Sequence, residues 1–92
     1  MKLIKYENYQ VVPTDELFYV KTFRMMYNKE RSVTKEKFME TLSFIYHFAD
    51  PRSSYADIFD DEQRIQAIIT QEGMNSDFKI TKEIEEAIDV YK

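Results

Sequence analysis

The chain has 92 residues, of which 43% are hydrophobic and 33% charged, and its formal net charge is −4. We expect one small domain with a thin core, because this length leaves no room for a second. Cysteine is absent, which excludes a disulfide framework and a thiolate zinc site and indicates a reducing compartment. The sequence has neither a signal-peptide core nor about 20 consecutive apolar residues, so we expect no secretion by that route and no membrane insertion.

The charges are unevenly distributed along the chain. Residues 17–37 contain six basic and two acidic residues, whereas residues 50–92 contain eleven acidic and five basic residues. This pattern is typical of solvated helix faces, and alternatively of head-to-tail contact between subunits or with a partner. The net negative charge of the chain argues against a dedicated nucleic-acid binder. The basic segment 29–37 also lacks interleaved aromatic side chains that could stack on bases.

Residues 1–13 show loose apolar alternation without a helical stripe, and they predict an extended N-terminal arm or a short strand. Seven Tyr and seven Phe are more aromatic surface than a fold of this size requires. We therefore expect part of this surface to contact another protein. The candidate partner contacts in the arm are Tyr6, Tyr9, Val11 and Val12.

Two helices are predicted in the middle of the chain. Thr14 or Asp15 is expected to cap a first helix that runs to about Asn28. The second helix is expected to follow Thr34 as its N-cap and to stop just before Pro51, which cannot continue a helix. Because this second helix is apolar on nearly all sides, we predict that it is the central element of the core.

The start and end signals of the third helix are clear. Asp60 can accept a hydrogen bond from the backbone of Gln63, which predicts a helix over residues 61–72. Gly73 follows at the position of a left-handed cap. An apolar stripe from Ile80 to Tyr91 predicts a last, amphipathic helix, which Thr81 can cap.

Together these elements predict an all-α fold. We expect a small bundle of three to four short helices, with an extended N-terminal arm at residues 1–13 and a single helical domain at residues 14–92. The sequence shows no internal repeat and no low-complexity stretch.

No residue pattern in the chain specifies a reaction or a cofactor. His47 is the single histidine, and its place among aromatic residues favours a neutral, structural imidazole, hydrogen-bonded at one nitrogen, over a catalytic base. Ser53 and Ser54 lie near it in sequence without a nucleophile elbow. The acidic residues 50–62 lack the spacing and the glycine of a calcium loop. We therefore expect no enzyme, no metal and no cofactor, and a small hydrolase using His47 is only a third alternative.

The sequence predicts a rigid corner after the second helix, formed by Asp50, Pro51, Arg52 and Tyr55. We expect the guanidinium of Arg52 to bind a carboxylate such as that of Asp57, or helix-end carbonyl groups. We expect the ring of Tyr55 to lie beneath it. A structural role for this corner is favoured over a binding role.

The order of motifs in residues 26–69 resembles that in small proteins of large tailed bacteriophages, notably crAss-like and related phages of Bacteroidetes hosts. In that pattern a Tyr and a charged loop lead into an aromatic helix end, an Asp-x-Arg-Ser-x-Tyr corner and an acidic helix start with Arg. The elements here are Tyr27, residues 28–35, residues 44–48, residues 50–55 and residues 60–64. The resemblance covers about half the chain, and residues 29–33 are less basic than the pattern.

The resemblance implies a virion component at the head, the portal or the tail, or a protein packaged in the particle, made in the host cytoplasm. It implies no chemistry. The leading hypothesis is a non-enzymatic structural or interaction subunit whose partners are other virion proteins or further copies of itself. The alternative is a phage-encoded regulatory protein that binds and sequesters a host or phage factor.

Overall fold

The computed structural model describes residues 3–8, 10–31, 33–75 and 77–91. Within these residues a β-hairpin precedes a 3₁₀ turn and four α-helices. The described part of the chain is therefore mostly helical, at 57% helix, with a small two-stranded antiparallel sheet. The strands are Ile4–Glu7 (β1) and Gln10–Pro13 (β2), the 3₁₀ turn is Asp15–Tyr19, and the helices are Lys21–Lys29 (α1), Glu36–Ala49 (α2), Asp61–Gln71 (α3) and Lys82–Tyr91 (α4).

The N-terminal segment folds back on itself as a hairpin. The pairing runs from Ile4 opposite Pro13 to Glu7 opposite Gln10. Asn8 lies in the turn with φ 51°, a left-handed conformation that asparagine adopts more readily than most residues. In the sequence Asn8 is not followed by glycine, so the strong Asn-Gly signal of a hairpin is absent, which is why the sequence did not reveal this pairing.

The hairpin belongs to the same core as the helices. Ile4 is fully buried and Leu3 nearly so. The carbonyl of Leu3 accepts hydrogen bonds from both the backbone N and the hydroxyl of Thr14, each at 3.0 Å, and these bonds tie the two ends of the hairpin together. The prediction of an all-α fold was correct for the helices and wrong for the N-terminal segment, which is a hairpin and not a single extended arm.

The predicted first helix is divided in two. The 3₁₀ turn buries Leu17, and Val20 then adopts extended backbone angles (φ −85°, ψ 120°) before α1 begins. Val20 ends the run LFYV, which suits extended structure as well as helix. Helix α1 buries Phe23 and ends one residue beyond the predicted Asn28.

The connection between α1 and α2 is held by Lys35. This residue has φ 56°, which is an unfavourable left-handed conformation for a lysine. Its ammonium group donates to the carbonyl of Tyr27 at 2.9 Å and to that of Glu30, and it lies 4.4 Å from the centre of the Tyr27 ring. These contacts satisfy carbonyl groups at the end of α1 and offset the backbone strain.

Glu30 caps α2 from outside the helix. Its carboxylate accepts hydrogen bonds from the backbone N of Lys37 at 3.2 Å and of Phe38 at 2.6 Å. The expected N-cap, Thr34, was therefore wrong, because α2 begins at Glu36 and a carboxylate six residues upstream binds its free N–H groups. The negative charge also suits the positive end of the helix dipole.

Helix α2 is the central element, as predicted. It contacts the hairpin, α3 and α4. It ends at Ala49, as Pro51 requires. The buried residues that it contributes are Phe38, Leu42, Phe44, Ile45, Tyr46 and His47.

The last two helices have the predicted caps. The carboxylate of Asp60 accepts from the backbone N of Gln63 at 2.9 Å, and Gly73 has φ 67° after the end of α3. The hydroxyl of Thr81 accepts from the backbone N of Ile84 at 3.3 Å and caps α4. The α4 cap is the longer of these two hydrogen bonds.

Candidate functional site

The corner that follows α2 is built around a buried carboxylate. Asp50 is 3% exposed, and its backbone N still donates to the carbonyl of Tyr46 as a helix cap. Its carboxylate accepts from the backbone N of Arg52 at 2.8 Å and from the Arg52 side chain at 3.0 Å (Nε) and 2.7 Å (Nη2). The hydroxyl of Tyr91, at the end of α4, donates to the same carboxylate. The corner is thus joined to the last helix of the chain.

The electrostatics of this carboxylate follow from its partners. The hydrogen bond from Arg52 is the largest cause that lowers the pKa of Asp50 to about 2, and it outweighs the opposing effect of burial. Burial and the hydrogen bond to Asp50 raise the pKa of Tyr91 above its ordinary value. Asp50 is therefore ionised across the physiological range, and Tyr91 is neutral.

Arg52 binds a carboxylate, as predicted, but not that of Asp57, which was given as the example. Its guanidinium binds Asp50, whereas Asp57 is exposed. The helix-end role that was considered for Arg52 belongs to Arg64, which donates to the carbonyls of Ile58 at 2.8 Å and Phe48 at 3.0 Å. Arg64 lies one helix further along the chain, so the spacing of the corner motif did not indicate it.

Ser53 holds the inner side of the corner. Its hydroxyl donates to the carbonyl of His47 at 2.7 Å and accepts from the backbone N of Tyr55 at 3.0 Å. The hydroxyl is therefore engaged with backbone groups. It makes no hydrogen bond to the imidazole of His47.

Tyr55 lies beside His47 and not beneath Arg52 as expected. It is 5% exposed, and its ring meets that of His47 edge-on at 5.2 Å between centroids. Its hydroxyl donates to the carboxylate of Glu72 at 2.6 Å and lies 3.3 Å from the side-chain oxygen of Gln71. Burial and the bond to Glu72 raise the pKa of Tyr55 to about 12.

His47 is buried without a hydrogen bond to either ring nitrogen in the described part of the chain. The expectation of one hydrogen-bonded nitrogen was wrong. Nε2 lies 3.4 Å from Oε1 of Glu72, but not in hydrogen-bond geometry. Burial lowers the pKa of His47, and the attraction of Glu72 opposes that effect.

The candidate partner contacts of the N-terminal segment lie on the hairpin. Tyr6 is 47% exposed and stacks on Tyr46 at 5.7 Å between centroids. Val11 is half-buried and packs against the core, and Val12 is half-buried. Tyr9 lies outside the described residues. Part of this surface is therefore already used within the chain.

Other large apolar side chains are more exposed than those of the hairpin. Phe59 is 89% exposed, Val33 98% and Tyr19 79%. Phe59 lies between the corner and α3. Nothing in the sequence distinguishes these three residues, because exposure depends on what the rest of the chain leaves uncovered.

A cleft of about 690 Å³ opens between the α1–α2 connection and the start of α4. Its size is within the range of small-molecule sites. Apolar side chains and charges of both signs line it together, so the cleft does not indicate one ligand chemistry. Its lining includes Met26, Phe38, Phe78, Ile84, Arg31, Lys37, Lys79, Glu36 and Asp77.

Among residues 3–8, 10–31, 33–75 and 77–91, no three His, Cys, Asp or Glu side chains converge in a way that could hold a metal ion. None of the helices in this part of the chain is long and apolar enough to cross a bilayer.

Comparison with known proteins found no matching family model, no similar curated protein and no similar solved structure.

Proposed function

We propose that the chain is a non-enzymatic structural or interaction subunit of a tailed-phage particle and acts through protein–protein contacts. The observation that carries the proposal is the exposure of Phe59 on a rigid backbone. A Phe side chain gains about 2 to 3 kcal/mol when it is fully removed from water, so a partner that covers it gains affinity. The resemblance of residues 26–69 to phage proteins supports the particle as the location, and Phe59 lies within that segment.

The backbone on both sides of Phe59 is fixed. The carbonyl of Ile58 accepts from Arg64, and the backbone N of Ile58 donates to the carbonyl of Tyr55 at 3.1 Å. On the other side, Asp60 caps α3. The backbone at Phe59 therefore loses little conformational freedom on binding, which is a property of interface anchors.

The hairpin provides a second contact region in this proposal. Tyr6 keeps 47% of its surface exposed although it stacks on Tyr46. Tyrosine is well suited to such a position, because its ring is apolar and its hydroxyl can bond to a partner or to water. The chain is mainly basic over residues 17–37 and mainly acidic over residues 50–92, which allows complementary contact between copies of the chain.

The test is assembly. Purified particles are analysed by mass spectrometry for the chain, and the isolated chain is analysed by size exclusion with light scattering. We expect the chain in particles and self-association or binding to another particle protein. A strictly monomeric chain that is absent from particles would refute the proposal, and a soluble complex formed during infection without incorporation would favour the sequestering alternative.

Phe59→Ser tests the anchor. We expect this variant to melt within a few degrees of the wild type, since its side chain is exposed, but to be incorporated into particles less well. Gln66→Ala is the matched control, because it shortens an exposed side chain of the adjacent helix α3. Equal incorporation of wild type and Phe59→Ser would show that Phe59 is not a contact.

A further inference from the structure

His47 is enclosed by groups from four different elements. Its ring meets Tyr6 of β1 at 6.0 Å, Tyr46 of α2 at 5.4 Å and Tyr55 of the corner at 5.2 Å, all edge-on. At the end of α3, Oε1 of Glu72 lies 3.4 Å from Nε2. The imidazole is therefore the point at which the hairpin, the central helix, the corner and α3 meet.

The charges near the imidazole do not fully balance the positive charge that a proton adds to it. Among the described groups that face the ring, Glu72 carries the formal charge, and its carboxylate is shared with the hydroxyl of Tyr55. Asp50 and Arg52 form an ion pair whose two charges act in opposite directions on the neighbouring Tyr46. A protonated His47 would thus lie among three aromatic rings and beside one partly solvated carboxylate, which is a costly place for a charge.

Of the elements that enclose His47, the hairpin is the one that undocks most easily. The corner is held by Asp50 and Ser53, and α3 is part of the helical core. The hairpin has two strands of four residues, and an isolated two-stranded hairpin is marginally stable. Its docking therefore depends on Leu3, Ile4 and the stack of Tyr6 on Tyr46.

We propose that His47 is a pH-sensitive latch for the N-terminal hairpin. With a neutral imidazole the hairpin lies over α2, and a proton on the imidazole in mildly acidic solution shifts the docking equilibrium toward release of β1 and β2 from α2 while the four helices stay folded. Release hydrates the imidazolium and exposes Leu3, Ile4 and Tyr46 together with Tyr6. This proposal depends on the fold alone and not on the proposed function.

The direction of the effect follows from linkage. Burial holds the pKa of His47 in the folded chain below its ordinary value, so the undocked hairpin binds more protons than the docked one. Docking is then strongest above the ordinary imidazole pKa of about 6.5 and weakens as the pH falls below it. One proton changes the docking equilibrium by at most about tenfold for each pH unit.

The experiment is amide hydrogen exchange of the whole chain at about pH 7.5 and about pH 5, corrected for intrinsic exchange rates. We expect the hairpin amides to lose protection between these values, by no more than the roughly tenfold for each pH unit that one proton allows, while α3 and α4 keep theirs. His47 is the single histidine, so one pair of imidazole resonances reports its titration in the same sample. Unchanged hairpin protection while His47 titrates, or equal loss in all helices, would overturn the latch.

Two variants separate the latch from general acid effects. His47→Gln cannot take the proton, and we expect its hairpin protection to be independent of pH in this range. Glu72→Gln removes the charge that favours the protonated ring, and we expect a larger loss of hairpin protection than in the wild type at about pH 5. The same loss of hairpin protection in His47→Gln as in the wild type, or a smaller loss in Glu72→Gln than in the wild type, would contradict the proposal. If His47→Gln does not fold, the comparison of Glu72→Gln with the wild type decides.

Discussion

Replacing Asp50 with Asn should weaken the joint between α2, the corner and α4. The carboxylate of Asp50 is 3% exposed and accepts three hydrogen bonds from Arg52 and one from Tyr91. Asparagine has nearly the same shape and keeps one acceptor oxygen. It replaces the other oxygen by a donor, which faces the donors of Arg52 or Tyr91, and it removes the charge that pairs with the guanidinium.

The size of the effect can be worked out from the pKa of Asp50, which falls from 3.8 to about 2 in the folded chain. At about 1.4 kcal/mol for each pH unit, this difference corresponds to roughly 2.5 kcal/mol of stability. The Arg52 side chain is 52% exposed, so water screens part of the interaction. We therefore expect Asp50→Asn to lower the free energy of unfolding near pH 7 by about 1 to 2 kcal/mol.

The assay is urea unfolding of both proteins as a function of pH. Because the folded-state pKa is depressed, the contribution of Asp50 is fully present above its ordinary pKa of 3.8 and is lost as the pH falls toward about 2. The difference between wild type and Asp50→Asn should therefore shrink over that interval. Asp57→Asn is the control, since Asp57 is exposed, and we expect it to change stability by less than about 0.5 kcal/mol. Equal stability of the two variants near neutral pH, or an Asp50→Asn deficit that persists undiminished in acid, would contradict this prediction.

Two further substitutions test the helix ends. Glu30→Ala removes the acceptor of the Lys37 and Phe38 backbone N–H groups, and thermal unfolding should show a loss of about 1 kcal/mol, with a smaller loss for Glu36→Ala. An equal loss for both would assign the effect to the helix dipole alone. Gly73 has a left-handed backbone, and a Cβ added to it meets no atom within 4 Å. Gly73→Ala should therefore lower the free energy of unfolding in urea by about 1 kcal/mol, through the backbone conformation alone. A neutral Gly73→Ala would mean that this backbone turn is not required.

Much of the helical framework could be predicted from local signals. Asp60 followed by Gln63, and Gly73 after the last apolar residue, mark the two ends of α3 because capping acts between residues close in sequence. Pro51 marks the end of α2 for the same reason. The hairpin was missed because the sequence lacks the Asn-Gly signal of a tight turn. The break in the first helix was missed because Val20 is compatible with both helix and extended chain.

The candidate site was predicted less completely. The corner of Asp50 to Tyr55 was located, but its partners were not, because Tyr91 is 41 residues away from Asp50 and Glu72 is 17 residues away from Tyr55. Such contacts are set by how α3 and α4 pack against α2. The exposed Phe59 has no signal in the sequence either, since an aromatic residue beside a helix start is as compatible with burial as with exposure.

The sequence by itself determined the mostly helical character, the central place of α2 and the caps of α3 and α4, because apolar periodicity and capping are local properties of the chain. The tertiary structure alone decided that Tyr91 joins the carboxylate of Asp50, that His47 is buried without a hydrogen bond in the described part of the chain, and which aromatic side chains stay exposed. These features depend on groups that are distant in sequence and meet only when the elements pack. Their energies also depend on burial, which no local pattern specifies.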